Sequence, residues 1–294
     1  MNKVGFIGVG IMGKSMVRNL MKAGFELHIY ARTKSKVEDV ISEGAQFHES
    51  IKDCVQDCDA VITIVGFPQD VEEVYFDEGN ILDSAKEGAY LIDMTTTSPQ
   101  IAEKIYAEGT KRGFHVMDAP VTGGDTGAKA GTLSILVGGE KDDYEACMPL
   151  FEAMGTNINY QGKAGCGQHC KLANQIMIAG TLSGVCEALT YAKEQGLDPE
   201  VFMKSVATGA AGSKQLDTFG PKILKDDYAP GFFMKHFIKD MKLALIEANR
   251  KGLSLDVLSM VLANYEELEQ EGYGDLGTQA LMKFYDEEHR NTEE

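Results

Sequence analysis

The chain has 294 residues and carries 45 acidic against 28 basic side chains, a formal net charge of −17. That length favours about two domains with room for a sizeable core, and the acidic balance argues against non-specific binding to nucleic acid or anionic membranes. No run of about 18 apolar residues occurs, so no membrane span is expected, and no apolar leader precedes the first strand, so a cytoplasmic protein is expected.

Residues 3–7 read as a short buried strand and residues 12–23 as an amphipathic helix, with Gly8, Gly10 and Gly13 between them in G-x-G-x-x-G spacing. The first glycine permits a tight turn. The second leaves room for a pyrophosphate against bare backbone, and the third lets the helix pack closely on the strand. The helix dipole and the first-turn amides, those of Ile11 and Met12 among them, then face the phosphates. Glycine-rich turns also simply connect strands to helices. Placed directly between an apolar strand and an amphipathic helix, this one predicts a dinucleotide site.

The second strand, residues 26–30, runs into Ala31-Arg32-Thr33-Lys34-Ser35-Lys36. An Asp or Glu about 20 residues past the glycines would take the ribose hydroxyls of NAD, and none stands at this strand end. Arg32 with Thr33 offers a planar cation and a hydroxyl to a 2′-phosphate. The segment favours NADP, although the same position tolerates NAD, and a solvated basic loop is the plain alternative. A helix is expected over residues 35–43 and another over 99–112. Further strands are expected at 60–64, 89–93, 115–119 and 133–138. This alternation predicts a doubly wound parallel sheet with crossover helices and ligands at the carboxyl ends of its strands.

Three loops lie at those ends. Val65-Gly66-Phe67-Pro68 offers backbone to line the cofactor, and residues 93–99 form a hydroxyl-rich turn containing Thr96. In Asp118-Ala119-Pro120-Val121-Thr122-Gly123-Gly124 the amides after the proline form a turn able to hold an anion such as a carboxylate. Each alone reads equally as an ordinary strand-to-helix loop.

From about Gly165 the strand signals stop and helical periods take over, at 168–195, 199–207, 235–251 and 256–271. The first is apolar on nearly every side (Leu172, Ile176, Ile178, Leu182, Val185, Leu189) and is expected to be buried all round. The organisation expected is a dinucleotide domain over 1–163 joined by a long helix to an all-helical domain over 164–294. The acidic end, 286–294, is expected to fray. Cys54 with Cys58 and Cys166 with Cys170 are each four apart, without the spacing or extra ligands of a metal site, so reduced structural thiols and no metal are expected.

Lys171, Asn174 and Gln175 are three and four apart and share a helix face. That face continues with Ile178 and Leu182, which makes it buried or cleft-facing. A lysine there is paired, shifted toward neutrality, or functional. Hydride transfer between an alcohol and a nicotinamide needs a group to take or give the hydroxyl proton, and a desolvated lysine does this near neutral pH. Asn174 can hold the same hydroxyl in line. Taken alone, these residues favour an ordinary helix-surface lysine.

In this order and spacing, the segments resemble the β-hydroxyacid dehydrogenase family, which includes 3-hydroxyisobutyrate dehydrogenase and tartronate semialdehyde reductase. The resemblance covers essentially the whole chain. It rests on Gly5-Phe6-Ile7-Gly8 and the glycine fingerprint, on residues 118–124 and 165–174, and on Phe237-Ile238-Lys239-Asp240. It implies an N-terminal Rossmann domain, a long interdomain helix, and a helical domain that also builds homodimers or homotetramers. It implies an oxidoreductase, NADP-preferring with NAD possible, that acts between a small carboxylate-bearing aldehyde of the semialdehyde or glyoxylate type and the hydroxy acid. By the same resemblance, Lys171 corresponds to the general acid/base and Asn174 to the residue binding the substrate hydroxyl or carbonyl, and Gln175, on the same helix face, is expected to bind substrate as well. Thr122, Gly123 and Gly124 correspond to the carboxylate-binding turn. Thr96 and Lys239 correspond to cofactor contacts. Two departures stand out: Thr122 where serine is common, which adds a methyl group to the pocket, and Ala31 where asparagine is often found.

Related readings are a phosphogluconate-type dehydrogenase, usually with a larger helical domain and an Arg/His cluster for a sugar phosphate, and an imine reductase, generally without the lysine. A non-catalytic NADP-binding or oligomerisation module tends to lose that lysine, whereas Lys171 and Asn174 are both present. Ser213, Phe232 and Phe233 are candidates for the far wall of the substrate pocket.

Overall fold

A computed structural model describes residues 1–286 of the chain, so the end expected to fray lies outside the described residues except for Asp286. Nine strands form one sheet: β1 (Lys3–Ile7), β2 (Glu26–Tyr30), β3 (Gln46–Phe47), β4 (Ala60–Thr63), β5 (Tyr90–Asp93), β6 (His115–Asp118), β7 (Val121–Thr122), β8 (Leu133–Gly139) and β9 (Gly155–Gly162). The order is β3-β2-β1-β4-β5-β6-β8-β7, with β9 paired to β8. Between the strands lie α1 (Ile11–Lys22), α2 (Glu38–Ser42), α3 (Ile51–Val55), α4 (Pro68–Phe76), α5 (Ile81–Ser84), α6 (Pro99–Lys111), α7 (Gly124–Ala130), α8 (Lys141–Ala146) and α9 (Met148–Met154).

Alternate residues of each strand point to opposite faces, and here both faces are covered. Val4, Phe6 and Ile62 pack with Met16, Val17 and Leu20 of α1 on one side. Ile7, Val61 and Leu91 pack with Val71, Tyr75 and Ile105 on the other. Two buried faces explain why these strands read as continuous apolar runs. Because β1 lies between β2 and β4, the chain order reverses there. The loops leaving β1 and β4 diverge, which opens the crevice where such sheets receive ligands.

The sheet is mostly parallel, not wholly so as expected. β8 runs antiparallel to β6 and β7. Three strands were not foreseen. β3 and β7 are two residues each, and β9, Gly-Thr-Asn-Ile-Asn-Tyr-Gln-Gly, is a largely exposed edge whose two apolar side chains, Ile158 and Tyr160, alternate with polar ones but make too short a run to stand out. The helix expected over 35–43 is a 3-10 turn at Lys34–Lys36 followed by α2, because Val37 leaves helical backbone between them.

The chain divides into two compact units, residues 1–171 and residues 172 onward. The second contains most of α10 (Cys166–Glu194), then α11 (Pro199–Val206), α12 (Lys214–Ile223), α13 (Met234–Arg250) and α14 (Asp256–Gln270). α12 escaped the sequence reading because Gly220-Pro221 stands inside it, although Ser213 caps it by accepting the Leu216 amide. Its core joins Leu182, Cys186 and Leu189 of α10 to Phe237 and Met241 of α13 and Val261 and Tyr265 of α14.

α10 is not buried all round, since Met177 and Tyr191 are well exposed. At 29 residues it is long and apolar enough to cross a membrane by length and composition alone, although polar residues interrupt its apolar ones throughout. Its Leu182, Val185 and Leu189 are instead built into the helical core. All six cysteines are free thiols, and burial pushes those of Cys54, Cys147 and Cys186 upward.

Candidate active site

The glycine turn separates what the fold needs from what it leaves open. Gly8 has φ +98°, and a Cβ there would stand 2.1 Å from the Ile64 carbonyl oxygen. A Cβ on Gly13 would stand 2.2 Å from the carbonyl oxygen of Gly8. Both glycines are required by the protein's own packing. Gly10, at φ −87° and ψ −154°, is extended backbone that any residue adopts, and a Cβ there would meet nothing within 4 Å. The open space over Gly10 is the cradle a pyrophosphate needs. α1 has no side-chain cap at its N-terminus and Ile11 in its first turn is 48% exposed, so its first amides face outward for an anion. These residues fit a dinucleotide.

Arg32 follows β2 with its side chain 74% exposed, and its Nη1 donates to Asp70 Oδ1 at 3.2 Å. Thr33, also exposed, begins the turn at Lys34–Lys36. Asp70 Oδ2 in turn accepts the Phe67 amide at 2.9 Å, and the Val65 amide donates to Thr95 Oγ1 at 3.0 Å. Two of the three amides in the 65–67 loop are therefore engaged, and the Phe67 carbonyl accepts the Val71 amide. Sequence reading had no means of finding these internal partners.

At the carboxyl end of β5 sits Asp93, fully buried. Its Oδ1 accepts from Thr63 Oγ1 at 2.7 Å and from the Thr95 amide at 3.1 Å, and Tyr75 OH lies 3.2 Å from Thr63 Oγ1. Its Oδ2 is buried without a hydrogen-bond partner. Desolvation therefore outweighs the bonds from Thr95 and Thr63 and pushes this carboxyl up to about 6. A folded pKa above the unfolded one means that the fold holds the proton more tightly. The ionisation penalty is thus absent below about pH 4 and complete by about pH 7.

In Asp93→Asn the amide oxygen keeps both bonds and the NH₂ replaces the unpartnered oxygen. The variant is expected to be more stable than the parent at pH 8, by up to about 3 kcal/mol, and equal to it at pH 4. Thermal melts across that range check this, and a difference that does not grow with pH rejects it.

The start of α10 is pinned to the same sheet end. Asp118, closing β6, accepts the Gly165 amide on Oδ1 and the Gln168 amide on Oδ2, both at 2.8 Å. Burial raises this carboxyl, and the two backbone bonds oppose the rise. Gly138 and Gly167 make room for it, since Cβ atoms there would lie 2.6 and 2.8 Å from its oxygens. Gln168 is fully buried. Its Nε2 donates to the Thr95 carbonyl at 2.7 Å, and its Oε1 accepts the Thr97 amide at 3.0 Å. Lys171, one turn on, is only 6% exposed. Thr122, half-buried, ends β7, and Gly123 and Gly124 follow at φ +132° and +64°.

In the helical unit, Asn174 Nδ2 donates to Gln175 Oε1 at 2.8 Å and Gln175 Nε2 donates to Asp240 Oδ2 at 2.7 Å. Lys239 Nζ lies 3.0 Å from Asp240 Oδ1, an ion-pair contact outside hydrogen-bond angles. Asn174, Gln175 and Lys239 are thus brought together around a buried carboxylate. Of the residues expected at the far wall, Ser213 is a helix cap, while the rings of Phe232 and Phe233 flank His236. Asp93, Asp118, Gln168 and Asp240 had no assigned role in the sequence reading. Only Asp240 left a signal, as an acid in register with the buried Phe237, Met241 and Ala244 of α13.

Residues 3–162 match a family model described as the NAD binding domain of 6-phosphogluconate dehydrogenase. Residues 165–285 match one described as NAD-binding of NADP-dependent 3-hydroxyisobutyrate dehydrogenase. The chain is 49% identical over 282 residues to the uncharacterized oxidoreductase YkwC of Bacillus subtilis, covering 96% of this chain and 98% of that one. It is 44% identical over 281 residues to the probable 3-hydroxyisobutyrate dehydrogenase-like 1, mitochondrial, of Arabidopsis thaliana, covering 95% and 84%. A Mycobacterium tuberculosis 3-hydroxyisobutyrate dehydrogenase solved with L-serine superposes with a TM-score of 0.87 at 26% identity, over 96% of this chain and 98% of that one. The chain therefore belongs to the 3-hydroxyisobutyrate dehydrogenase-like β-hydroxyacid dehydrogenase family of NAD(P)-dependent oxidoreductases.

Proposed function

We propose that the protein is an NADP-preferring reductase of a small carboxylate-bearing aldehyde, of the semialdehyde or glyoxylate type, or the dehydrogenase of the matching hydroxy acid, with Lys171 as general acid/base. The observation that carries this is the placement of Lys171. It is a buried amine one turn from Gln168, whose side chain grips the backbone on both sides of Thr96 at the carboxyl end of β5.

The nicotinamide dinucleotide, when bound, supplies the hydride for reduction and takes it in oxidation. In reduction the Lys171 ammonium gives its proton to the substrate oxygen as the carbonyl becomes an alcohol, leaving a neutral amine that recovers a proton from water. Asn174 holds the same oxygen. The turn at Thr122, Gly123 and Gly124 receives the carboxylate, so that the carbonyl is presented in one orientation. Gly8, Gly10 and Gly13, with the amides of Ile11 and Met12, hold the pyrophosphate. Arg32 and Thr33 would take the 2′-phosphate, residues 65–67 would line the cofactor, Thr96 would contact it near the nicotinamide, and Lys239 would be the contact from the helical unit. The L-serine named with the mycobacterial structure is a carboxylate-bearing β-alcohol, which supports this substrate class. The NADP-dependent enzyme in the second family description supports the reading of Arg32.

A homodimer or homotetramer is part of the same proposal. Among the described residues, Met177, Tyr191, Val201, Leu253, Val257 and Met260 of the helical unit are large apolar side chains left exposed, as surfaces that associate are.

The test is a panel of glyoxylate and succinic, tartronate and methylmalonate semialdehydes with NADPH and with NADH, following absorbance loss. NADPH is expected to win by about tenfold or more in kcat/KM, the worth of one charge-assisted contact, and Arg32→Ala is expected to erase that margin by weakening NADPH alone. A wide margin for NADH rejects the cofactor reading, and no turnover of any carboxylated aldehyde rejects the substrate class.

A further inference from the structure

We infer that Gln168 is a positioning residue: its buried carboxamide, bridging the Thr95 carbonyl and the Thr97 amide on either side of Thr96, sets where Lys171 stands. The inference rests on the reading of Lys171 as proton donor.

Both ends of the carboxamide are used, one as donor and one as acceptor, and only a side chain of this length with both functions completes the bridge. The same residue is held through its backbone, since its N–H donates to Asp118 Oδ2. Neighbouring Gly167 seats the turn against the sheet, where a Cβ would lie 2.4 Å from the Leu136 carbonyl oxygen and 2.7 Å from that of Asp118. Lys171 is three residues further along the helix and shares the face of Gln168. Turning the first helical turn relative to the 95–97 loop therefore moves the amine relative to whatever Thr96 contacts. Displacements of about 1 Å cost up to about 10²-fold in rate when geometry is what catalyses.

Two variants separate positioning from mere structure. Gln168→Leu fills the space without polar atoms. Gln168→Glu keeps shape and reach, but when ionised it points a negative oxygen at the Thr95 carbonyl. When protonated it restores one donor and one acceptor. The other titratable groups around the bridge are Asp93 and Asp118 at the strand ends, Tyr75 beside Thr63, Glu103 beside Gly165, and Cys166, His169, Cys170 and Lys171 in the first two turns of α10, so each profile is read as a ratio to the parent enzyme at the same pH.

Gln168→Leu is expected to lower kcat by about 10²-fold while the dinucleotide Kd, from nucleotide fluorescence, moves less than about threefold, below the worth of one lost hydrogen bond. In the cofactor-free protein, amide exchange at Thr97 should accelerate by about tenfold or more, the loss of one buried hydrogen bond. Gln168→Glu should match the leucine variant at pH 8 and regain activity relative to the parent as pH falls toward 5. It thereby tests the inference even if the leucine variant does not fold. A folded Gln168→Leu enzyme with kcat within twofold of the parent overturns the inference, as does a glutamate variant whose ratio is flat with pH. Lys171→Met assayed beside them keeps the two claims apart. Full turnover in that variant removes the proton-donor reading, whereas its loss together with a fully active Gln168→Leu removes only the positioning role.

Discussion

Lys171→Met is expected to lower kcat by about 10²–10⁴-fold, the usual worth of a positioned general acid, with dinucleotide affinity nearly unchanged. Methionine keeps much of the lysine stem's volume and apolar contact. Because Lys171 is 6% exposed, most of what the substitution alters is the nitrogen and its proton. The fold has little reason to move, since Asp118 and Gln168 hold this helix turn through bonds that do not involve the lysine. A lost proton donor also predicts rescue. If Lys171 is the proposed donor, Lys171→Ala leaves a cavity where its amine served the reacting oxygen, and a small primary amine added to the assay should restore part of the rate there but not in Lys171→Met. Steady-state kinetics with the best aldehyde of the panel, with and without the amine, reads both effects. Turnover within tenfold of the parent in both variants would reject the role.

What the sequence made legible follows the range of the physics involved. Gly8 and Gly13 are required by backbone contacts a few residues away and at the neighbouring strand, so the fingerprint carries its own explanation. The apolar runs of β1, β4 and β5 record burial on both faces and were found within a residue or so of their observed bounds. The face shared by Lys171, Asn174 and Gln175 needed only helical spacing. By contrast, Asp118 meets Gly165 and Gln168 across 47 and 50 positions, and Gln168 meets Thr95 and Thr97 across 73 and 71. No local period encodes such pairings. The engaged amides of Val65 and Phe67 were hidden for the same reason, whereas β9 has only Ile158 and Tyr160 alternating within a polar, exposed run, too weak a period to mark a strand.

The second large effect is expected at Asp240, and it is one of stability first. This carboxylate is fully buried, with Lys239 Nζ 3.0 Å from one oxygen and Gln175 Nε2 donating to the other at 2.7 Å. A carboxylate can only accept, so it compels Gln175 to turn its NH₂ inward and its Oε1 toward Asn174, which then donates. Asp240→Asn removes both the negative charge and that compulsion. The ammonium of Lys239, 11% exposed, loses the carboxylate beside it in a desolvated setting, a change that costs about 3 kcal/mol and roughly 6–12 °C in Tm. Gln175 can then adopt either orientation, and substrate KM is expected to rise several-fold as Asn174 loses its fixed donor direction. If the broken charge pair is what costs, adding Lys239→Met to Asp240→Asn should return much of the lost Tm. It should not return activity, because Lys239 is proposed as a cofactor contact and Gln175 stays unconstrained. A double variant that recovers neither stability nor activity would mean that the damage lies in packing rather than in charge. The single variants' melting temperatures and substrate KM values, set against the double, decide between the two.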